Sequence, residues 1–151
     1  MQKFLFVCVV IIMIVVVIVG IVGLMQQHVV ENNRKAITSD LHNFAQQALT
    51  FFNTPLYLGG GEGLWVPQID GEYQDNRCRL WLQLAGFEQK ENSDTFITNN
   101  GTFKMWINSY EDKILKFEGT GLEIGDDGVN PVKLRMDVNG SVRGILIKTI
   151  N

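Results

Sequence analysis

Hydrophobic residues are concentrated at the start of the chain. Residues 4–25 read FLFVCVVIIMIVVVIVGIVGLM and contain no charged side chain. A run of about 20 apolar residues is long enough to cross a bilayer core as a helix. Backbone groups in lipid must pair within the segment, so a helix is predicted despite the many β-branched residues. The run indicates a helix that lipid or other apolar helices must cover.

A cleaved secretory signal is the less favoured interpretation of this run. The apolar part of a signal usually spans about 7–15 residues and ends in a small-residue cleavage site. Here the run is longer and passes into Gln26, Gln27 and His28 without such a site. Lys3 favours a cytoplasmic N-terminus, with the rest of the chain outside.

A second hydrophobic pattern follows in residues 28–53. Apolar residues recur there every three or four positions, the period of an amphipathic helix. With no Pro or Gly between Leu24 and Asn53, one continuous helix of roughly 80 Å is predicted to end near Asn53. The residues expected to pack this helix on the remainder of the protein are Ile37, Leu41, Phe44, Ala48 and Phe51.

The remainder of the chain changes to shorter patterns. Pro55 and the glycines of residues 59–63 predict a helix end and a flexible connector. Residues 64–67 form an apolar patch expected to cover the helix stripe. Residues 77–87 fit a short helix, which we favour, although the alternating leucines there also fit a strand.

Alternation of apolar and polar residues predicts strands in the last third, at residues 102–109, 114–119, 132–138 and 141–150. Residues 125–130 predict a loop, and Asn139-Gly140 predicts a two-residue hairpin. Such strands form an antiparallel sheet with one buried face. The predicted fold is α+β: a long N-terminal helix packed on a small antiparallel sheet. We divide it into residues 1–27 (membrane or filament-core half), 28–53 (amphipathic half) and 54–151 (β-rich head).

Charge and cysteine usage exclude several functions. The net charge of −3 with 19% charged residues gives no basic surface for nucleic acid. Cys8 lies in the apolar run and Cys78 in the polar part, so we expect two isolated thiols and neither a disulfide nor a zinc site. No cofactor is predicted.

No arrangement of residues predicts catalysis. His28 and His42 lack neighbouring acids at metal-ligand spacing, and the sequence has no hydrolase, metalloprotease, P-loop or haem motif. We therefore predict that the protein is not an enzyme. The pair Asp126-Asp127 is compatible with Ca²⁺, but a solvated turn is favoured because a calcium site needs six or more oxygens. The glycosylation motifs at Asn100 and Asn139 coincide with predicted turns.

The order of an N-terminal apolar helix, an amphipathic continuation and a Gly-rich turn before a β-rich head resembles that of type IV pilins and type II secretion pseudopilins. The resemblance implies a helical homopolymer of this chain with the helices in its core. It also implies that the inner membrane holds the subunit until the pilus assembly machinery moves it into a cell-surface filament. The implied polymerisation helix contains Met1, Phe4, Leu5, Val9, Ile12, Val15, Val16, Val19, Gly20 and Gly23.

This chain departs from the family pattern in two ways. Family members are cut before the apolar stretch and are often N-methylated at the new first residue, so the resemblance implies that Met1 is the mature first residue. The first departure is at the fifth position, where most members have Glu and this chain has Leu5. Many also have Pro in the buried helix, whereas here Gly20 and Gly23 occur. These glycines favour either local unwinding in residues 18–23 or close helix packing.

Two functions are therefore predicted. The first is a structural subunit of a type IV pilus-like extracellular filament that polymerises through the N-terminal helix. The alternative is a single-pass, membrane-anchored extracytoplasmic binding module, such as a minor pilin or an adhesin-like protein. Adhesion, motility, secretion and DNA uptake all use this architecture, and the sequence does not choose among them.

Overall fold

A single long helix dominates the molecule. The computed structural model describes the backbone of residues 2–91 and 93–150, and the side chains from Phe6 onward within those ranges. Helix α1 (Gln2–Asn53) runs for 52 residues without a break. Its C-terminal half packs against an antiparallel sheet, so the predicted α+β fold is confirmed.

The two halves of α1 are helical for different physical reasons. The N-terminal half is apolar on every side, and its backbone groups pair only within the helix. The C-terminal half has one apolar stripe, which the head buries. Packing of that stripe, more than intrinsic propensity, stabilises this half of the helix. It ends at Asn53, as predicted.

The loop after α1 is packed and not a flexible connector, so that prediction was wrong. Both Gly60 and Gly61 are buried. The Gly61 N–H donates to the carbonyl of Phe51 at 2.8 Å, and the Gly63 N–H donates to that of Phe52 at 2.7 Å. These bonds satisfy carbonyls that a helix end leaves without partners. The glycines are needed because a Cβ on Gly61 would clash with the backbone of the same loop.

The predicted short helix is confirmed as α2 (Arg77–Leu84). Its inner face buries Cys78 and Leu82. Trp81 lies edge-on to Phe51 of α1, with 6.0 Å between ring centroids. The helix therefore covers the C-terminal end of the α1 stripe.

Within the described residues the strands form a large sheet and a small one. The small sheet is the hairpin of β1 (Gln68–Ile69) and β2 (Glu72–Tyr73). The large sheet is a six-stranded antiparallel meander in chain order. Its strands are β3 (Glu88–Gln89), β4 (Thr95–Thr98), β5 (Gly101–Trp106), β6 (Ile114–Ile124), β7 (Pro131–Asn139) and β8 (Gly144–Thr149). The last four strands and the loop at 125–130 confirm the predictions, whereas β1–β4 were not predicted.

The predicted two-residue turn at Asn139-Gly140 was wrong. Asn139 pairs with Gly144, so residues 140–143 form the connection. Gly140 lies against the Phe52 ring, where a Cβ would come within 2.5 Å. The left-handed conformation falls instead on Arg143, with φ 51°. Close packing under the end of α1 therefore accounts for the glycine, not a tight hairpin turn.

The core lies between the α1 stripe and the inner face of the sheet. Phe44 is at its centre: ring centroids of Phe87, Phe103 and Phe117 lie 4.0, 5.1 and 5.7 Å away. Full burial of one such side chain contributes about 1.5–3 kcal/mol. This aromatic cluster fixes the helix on the sheet.

A polar contact also fixes the position of the helix along the sheet. The Thr98 hydroxyl and the Asn100 amide both donate to Oδ2 of Asp40, at 2.7 and 2.9 Å. Charge-assisted hydrogen bonds of this kind are stronger than neutral ones. Asp40 therefore holds the β4–β5 turn at one level of α1.

Candidate functional site

The apolar half of α1 is uncovered in the single chain. Apart from Cys8, every residue from Phe6 to Val29 is exposed. No Asp, Glu, Lys or Arg occurs between Lys3 and Glu31. By length and composition, this helix is able to cross a membrane. We call residues 6–29 the free rod.

The predicted polymerisation residues lie along this rod. Their β-branched members are 50 to 66% exposed. In the described chain, no atom outside the adjoining helix backbone and chain neighbours lies within 4 Å of a Cβ built on either glycine. Those placed on the rod are Val9, Ile12, Val15, Val16, Val19, Gly20 and Gly23. Met1 lies outside the described residues, as do the side chains of Phe4 and Leu5. The helix is unbroken through residues 18–23.

The predicted head-packing residues lie on the opposite half of the same helix. Ile37, Leu41, Phe44, Ala48 and Phe51 are each 0% exposed and belong to one core cluster. One continuous helix therefore connects a fully buried face to an exposed rod.

Charged residues surround α1 where the rod meets the head. Arg34 donates to Asp126 of the β6–β7 loop at 2.7 Å and lies 3.4 Å from Glu31. Lys35 lies 3.6 Å from Glu31. These pairs are largely exposed, and each contributes at most about 1 kcal/mol. Together they mark the level along α1 at which the protein surface becomes hydrophilic.

Strand β6 lies along α1 and leads toward the free rod. A Cβ on Gly119 would come within 2.7 Å of Ile37, and one on Gly121 within 2.5 Å of the same side chain. The Gly121 position also contacts Asn33, one helical turn nearer the rod. Each step along β6 therefore moves toward the N-terminus of α1. The end of the β6–β7 hairpin consequently lies beside the rod.

The end of this hairpin carries exposed apolar residues. Leu122, Ile124 and Val129 are 68, 53 and 75% exposed. We call residues 122–129 the hairpin tip. A groove of about 540 Å³ separates it from the rod and is lined by Val22, Met25, Gln26, Val29, Val30, Glu123, Ile124, Gly125 and Gly128.

Sequence reasoning missed the hairpin tip as part of the site. The available signal was Leu122 and Ile124 before the acidic loop and Val129 after it, in LEIGDDGV. The spacing of these apolar residues does not predict where β6 lies along α1. That position depends on the tight glycine contacts with Ile37.

A smaller cleft of about 190 Å³ lies on the head, away from the rod. Trp65, Trp106 and Tyr110 line it together with Asp75 and Arg79. Aromatic walls with a few polar groups are typical of small-molecule sites. Its volume is below the usual range for such sites.

The other candidate groups serve local structure. Asp126 pairs with Arg34, and Asp127 accepts from the N–H groups of Val129 and Asn130 at 3.0 and 2.9 Å. Among the described residues, no group of three or more His, Cys, Asp and Glu could hold a metal ion. The acidic pair is thus accounted for by an ion pair and a turn.

The remaining titratable candidates are separate from one another. Both His28 and His42 are exposed on α1. Cys8 and Cys78 are both free. Cys78 is fully buried, and this burial raises its pKa to about 12. A thiol with so high a pKa is a poor nucleophile at neutral pH.

Comparisons of this chain with protein-family models, with curated proteins and with solved structures found no match.

Proposed function

We propose that this chain is a structural subunit of a type IV pilus-like extracellular filament and polymerises through its N-terminal helix. One observation carries the proposal: an uncovered apolar rod is continuous with a helix whose other half is locked into a folded head. Such a rod cannot remain in water. Lipid covers it before assembly, and rods of sister copies cover it in the filament.

The energetics assign different roles to lipid and to sister helices. Burying one Val or Ile side chain from water contributes about 1.5–3 kcal/mol, which holds the subunit in the membrane. Lipid tails are as apolar as the rods, so transfer from bilayer to filament gains little hydrophobic free energy. Close packing, assisted by Gly20 and Gly23, has to favour the polymer. Assembly machinery would supply the work of extraction.

A filament requires contacts between neighbouring copies that use different surfaces on the two partners. Repetition of such a heterologous contact gives a filament when the rotation does not close. The heads then form the outer surface.

A substitution in the middle of the rod tests the proposal. Val15→Asp puts a charge where lipid or sister helices would have to bury it, and a buried, unpaired carboxylate is very costly. We expect filaments seen by electron microscopy of shed surface material to disappear. Val15→Leu is the matched apolar control and should assemble, and Leu84→Asp on the exposed face of α2 should also assemble. Normal filament yield from Val15→Asp contradicts the proposal.

The N-terminus of the mature protein provides an independent test. A mature chain beginning at N-methylated Met1, detected by mass spectrometry of purified filaments, would support the filament proposal. An unmodified chain with a longer N-terminal segment would favour a plain membrane anchor.

The second candidate function is a membrane-tethered binding module. Two observations favour it: Leu5 replaces the acid that the resembled family uses in assembly, and the head carries the aromatic cleft beside Trp106. In that case the protein stays in the membrane and no filaments form at any expression level. Electron microscopy together with membrane fractionation separates the two functions.

A further inference from the structure

We propose that the hairpin tip is a membrane-docking element that inserts Leu122, Ile124 and Val129 among phospholipid headgroups while α1 spans the bilayer. This inference needs only a spanning helix and is independent of whether filaments form. It assigns a second lipid-binding surface to the folded head. The anchored head would then be held against the membrane by two elements and not by one.

The first step is the composition of the tip. Its three large apolar side chains are more than half exposed, and one of them, Ile124, lines a groove whose other wall is the free rod. The tip surface is thus continuous with the surface that lipid covers. Amphipathic segments bind membrane interfaces by burying such apolar side chains about 5–10 Å deep.

The second step is the level of the tip along the helix. Ile124 lines one wall of the groove, and Val22, Met25 and Val29 line the other. A bilayer core of about 30 Å takes about 20 helical residues, and the apolar run spans residues 4–25. Residues 22–29 therefore cross the boundary between hydrocarbon and headgroups on the side of the head. Ile124 lies at that same boundary, whereas Asp126 of the tip is held by Arg34 on the aqueous side of it.

The third step is the charge around the tip. Glu31, Glu123, Asp126 and Asp127 are acidic, whereas only Arg34 and Lys35 on the adjoining helix turns are basic. Anionic lipids attract basic segments, and this region has the opposite balance. The tip therefore suits a zwitterionic surface, and added anionic lipid should not strengthen docking.

Spin labelling of the full-length chain in lipid nanodiscs tests the inference. The background is Cys8→Ser, with buried Cys78 left in place. Labels are attached separately to Val129→Cys, to Leu84→Cys on α2, which is 88% exposed, and to Val15→Cys in the rod. Discs of zwitterionic phospholipid with one protein copy each exclude contacts between copies. Accessibility of each label to oxygen and to a water-soluble nickel complex is then measured.

We expect the ratio of oxygen to nickel accessibility at position 129 to be several-fold higher than at position 84, and below the ratio at position 15. Replacing half of the lipid with an anionic one should leave the ratio at 129 unchanged or lower. Leu122→Cys provides a second tip site if the Val129 variant does not fold.

Three results would overturn the inference. The first is a water-exposed label at 129 while the label at 15 lies in hydrocarbon. The second is protection of 129 only in discs with two copies, with dipolar broadening between labels, which identifies a second copy as the occupant. The third is a water-exposed label at 15, which removes the spanning helix on which docking depends. The filament proposal is judged separately, from Val15→Asp and electron microscopy.

Discussion

Two glycines of β6 mark the closest approach between the sheet and α1. A Cβ on Gly119 would come within 2.7 Å of Ile37 and 2.9 Å of Phe103. Both neighbours are fully buried, so moving either of them disturbs the core. We predict that Gly119→Ala lowers the free energy of unfolding by about 1–3 kcal/mol through overpacking, measured by urea denaturation in mild detergent.

Gly144→Ala is the control for this prediction. Gly144 also lies in a strand, but the nearest atom to its Cβ would be Val142 at 3.4 Å, an ordinary contact. Its effect should stay within about 0.5 kcal/mol. Equal effects of the two substitutions would show that the tight fit at Gly119 is not what limits the helix–sheet distance.

Cys78 gives a pH-dependent prediction. Burial raises the pKa of its thiol from 9.0 to about 12, so the folded state binds the proton more tightly than the unfolded state. Its contribution to stability is therefore complete below pH 9 and is lost as the pH rises toward 12. We expect wild type to lose more stability between pH 8 and pH 10.5 than Cys78→Ala, in denaturant titrations at each pH.

Thiol labelling checks the same burial directly. In Cys8→Ser, Cys78 should react with a maleimide at pH 8 only after denaturant is added. Rapid labelling of the folded protein would place Cys78 at the surface and remove the cause of its raised pKa.

At the scale of elements, the long patterns were the easiest to predict. Helix α1 follows from an unbroken apolar run and a stripe of period 3.6, with Asn53 as its end. Strands β5–β8 follow from alternation over six residues or more. In both kinds of element, the spacing of the apolar residues along the sequence shows which face is buried.

The short elements depended on contacts that a pattern does not contain. Strands β1–β3 have two residues each, too few to show alternation. Asn139-Gly140 has the residues of a tight turn, yet packing against Phe52 requires the glycine for another reason. In the candidate site, the absence of charge predicted the rod, whereas the hairpin tip required the position of β6 along α1.

The rod glycines lead to a prediction that separates close packing from local unwinding. Both Gly20 and Gly23 face open space in the single chain, so alanine at both positions introduces no clash and raises helix propensity by about 1 kcal/mol each. We expect Gly20→Ala with Gly23→Ala to assemble, and the corresponding double isoleucine variant to fail, by filament yield in electron microscopy. Failure of the double alanine variant would instead indicate that assembly needs the helix to unwind there.

At the scale of the whole molecule, the buried core lies entirely within the folded head and none of it in the free rod. All hydrophobic residues of the described chain that are buried lie from Ile37 to Val138. The rod contributes no residue to this core, and no other part of the described chain covers its apolar side chains. The head therefore contains the core of an independent folding unit. The rod has the composition of a segment that lipid or other apolar helices cover.

The last prediction follows from this separation. A chain that begins at His28 keeps the whole core and lacks residues 1–27, which include nearly all of the free rod, so we expect it to be folded and monomeric in water. Analytical ultracentrifugation and near-ultraviolet circular dichroism measure the two properties. Adding Phe44→Ala to the shortened chain should lower its free energy of unfolding by about 3–5 kcal/mol, because Phe44 lies at the centre of the core.

Residual self-association of the shortened chain would have one expected source, the hairpin tip. Replacing Leu122, Ile124 and Val129 with serine should then abolish it without changing the unfolding midpoint, since these side chains are exposed. If the shortened chain fails to fold even with these replacements, the rod must stabilise the head. A rod that the head requires for folding is not free to exchange lipid for sister helices, and the proposed polymer would lose its physical basis.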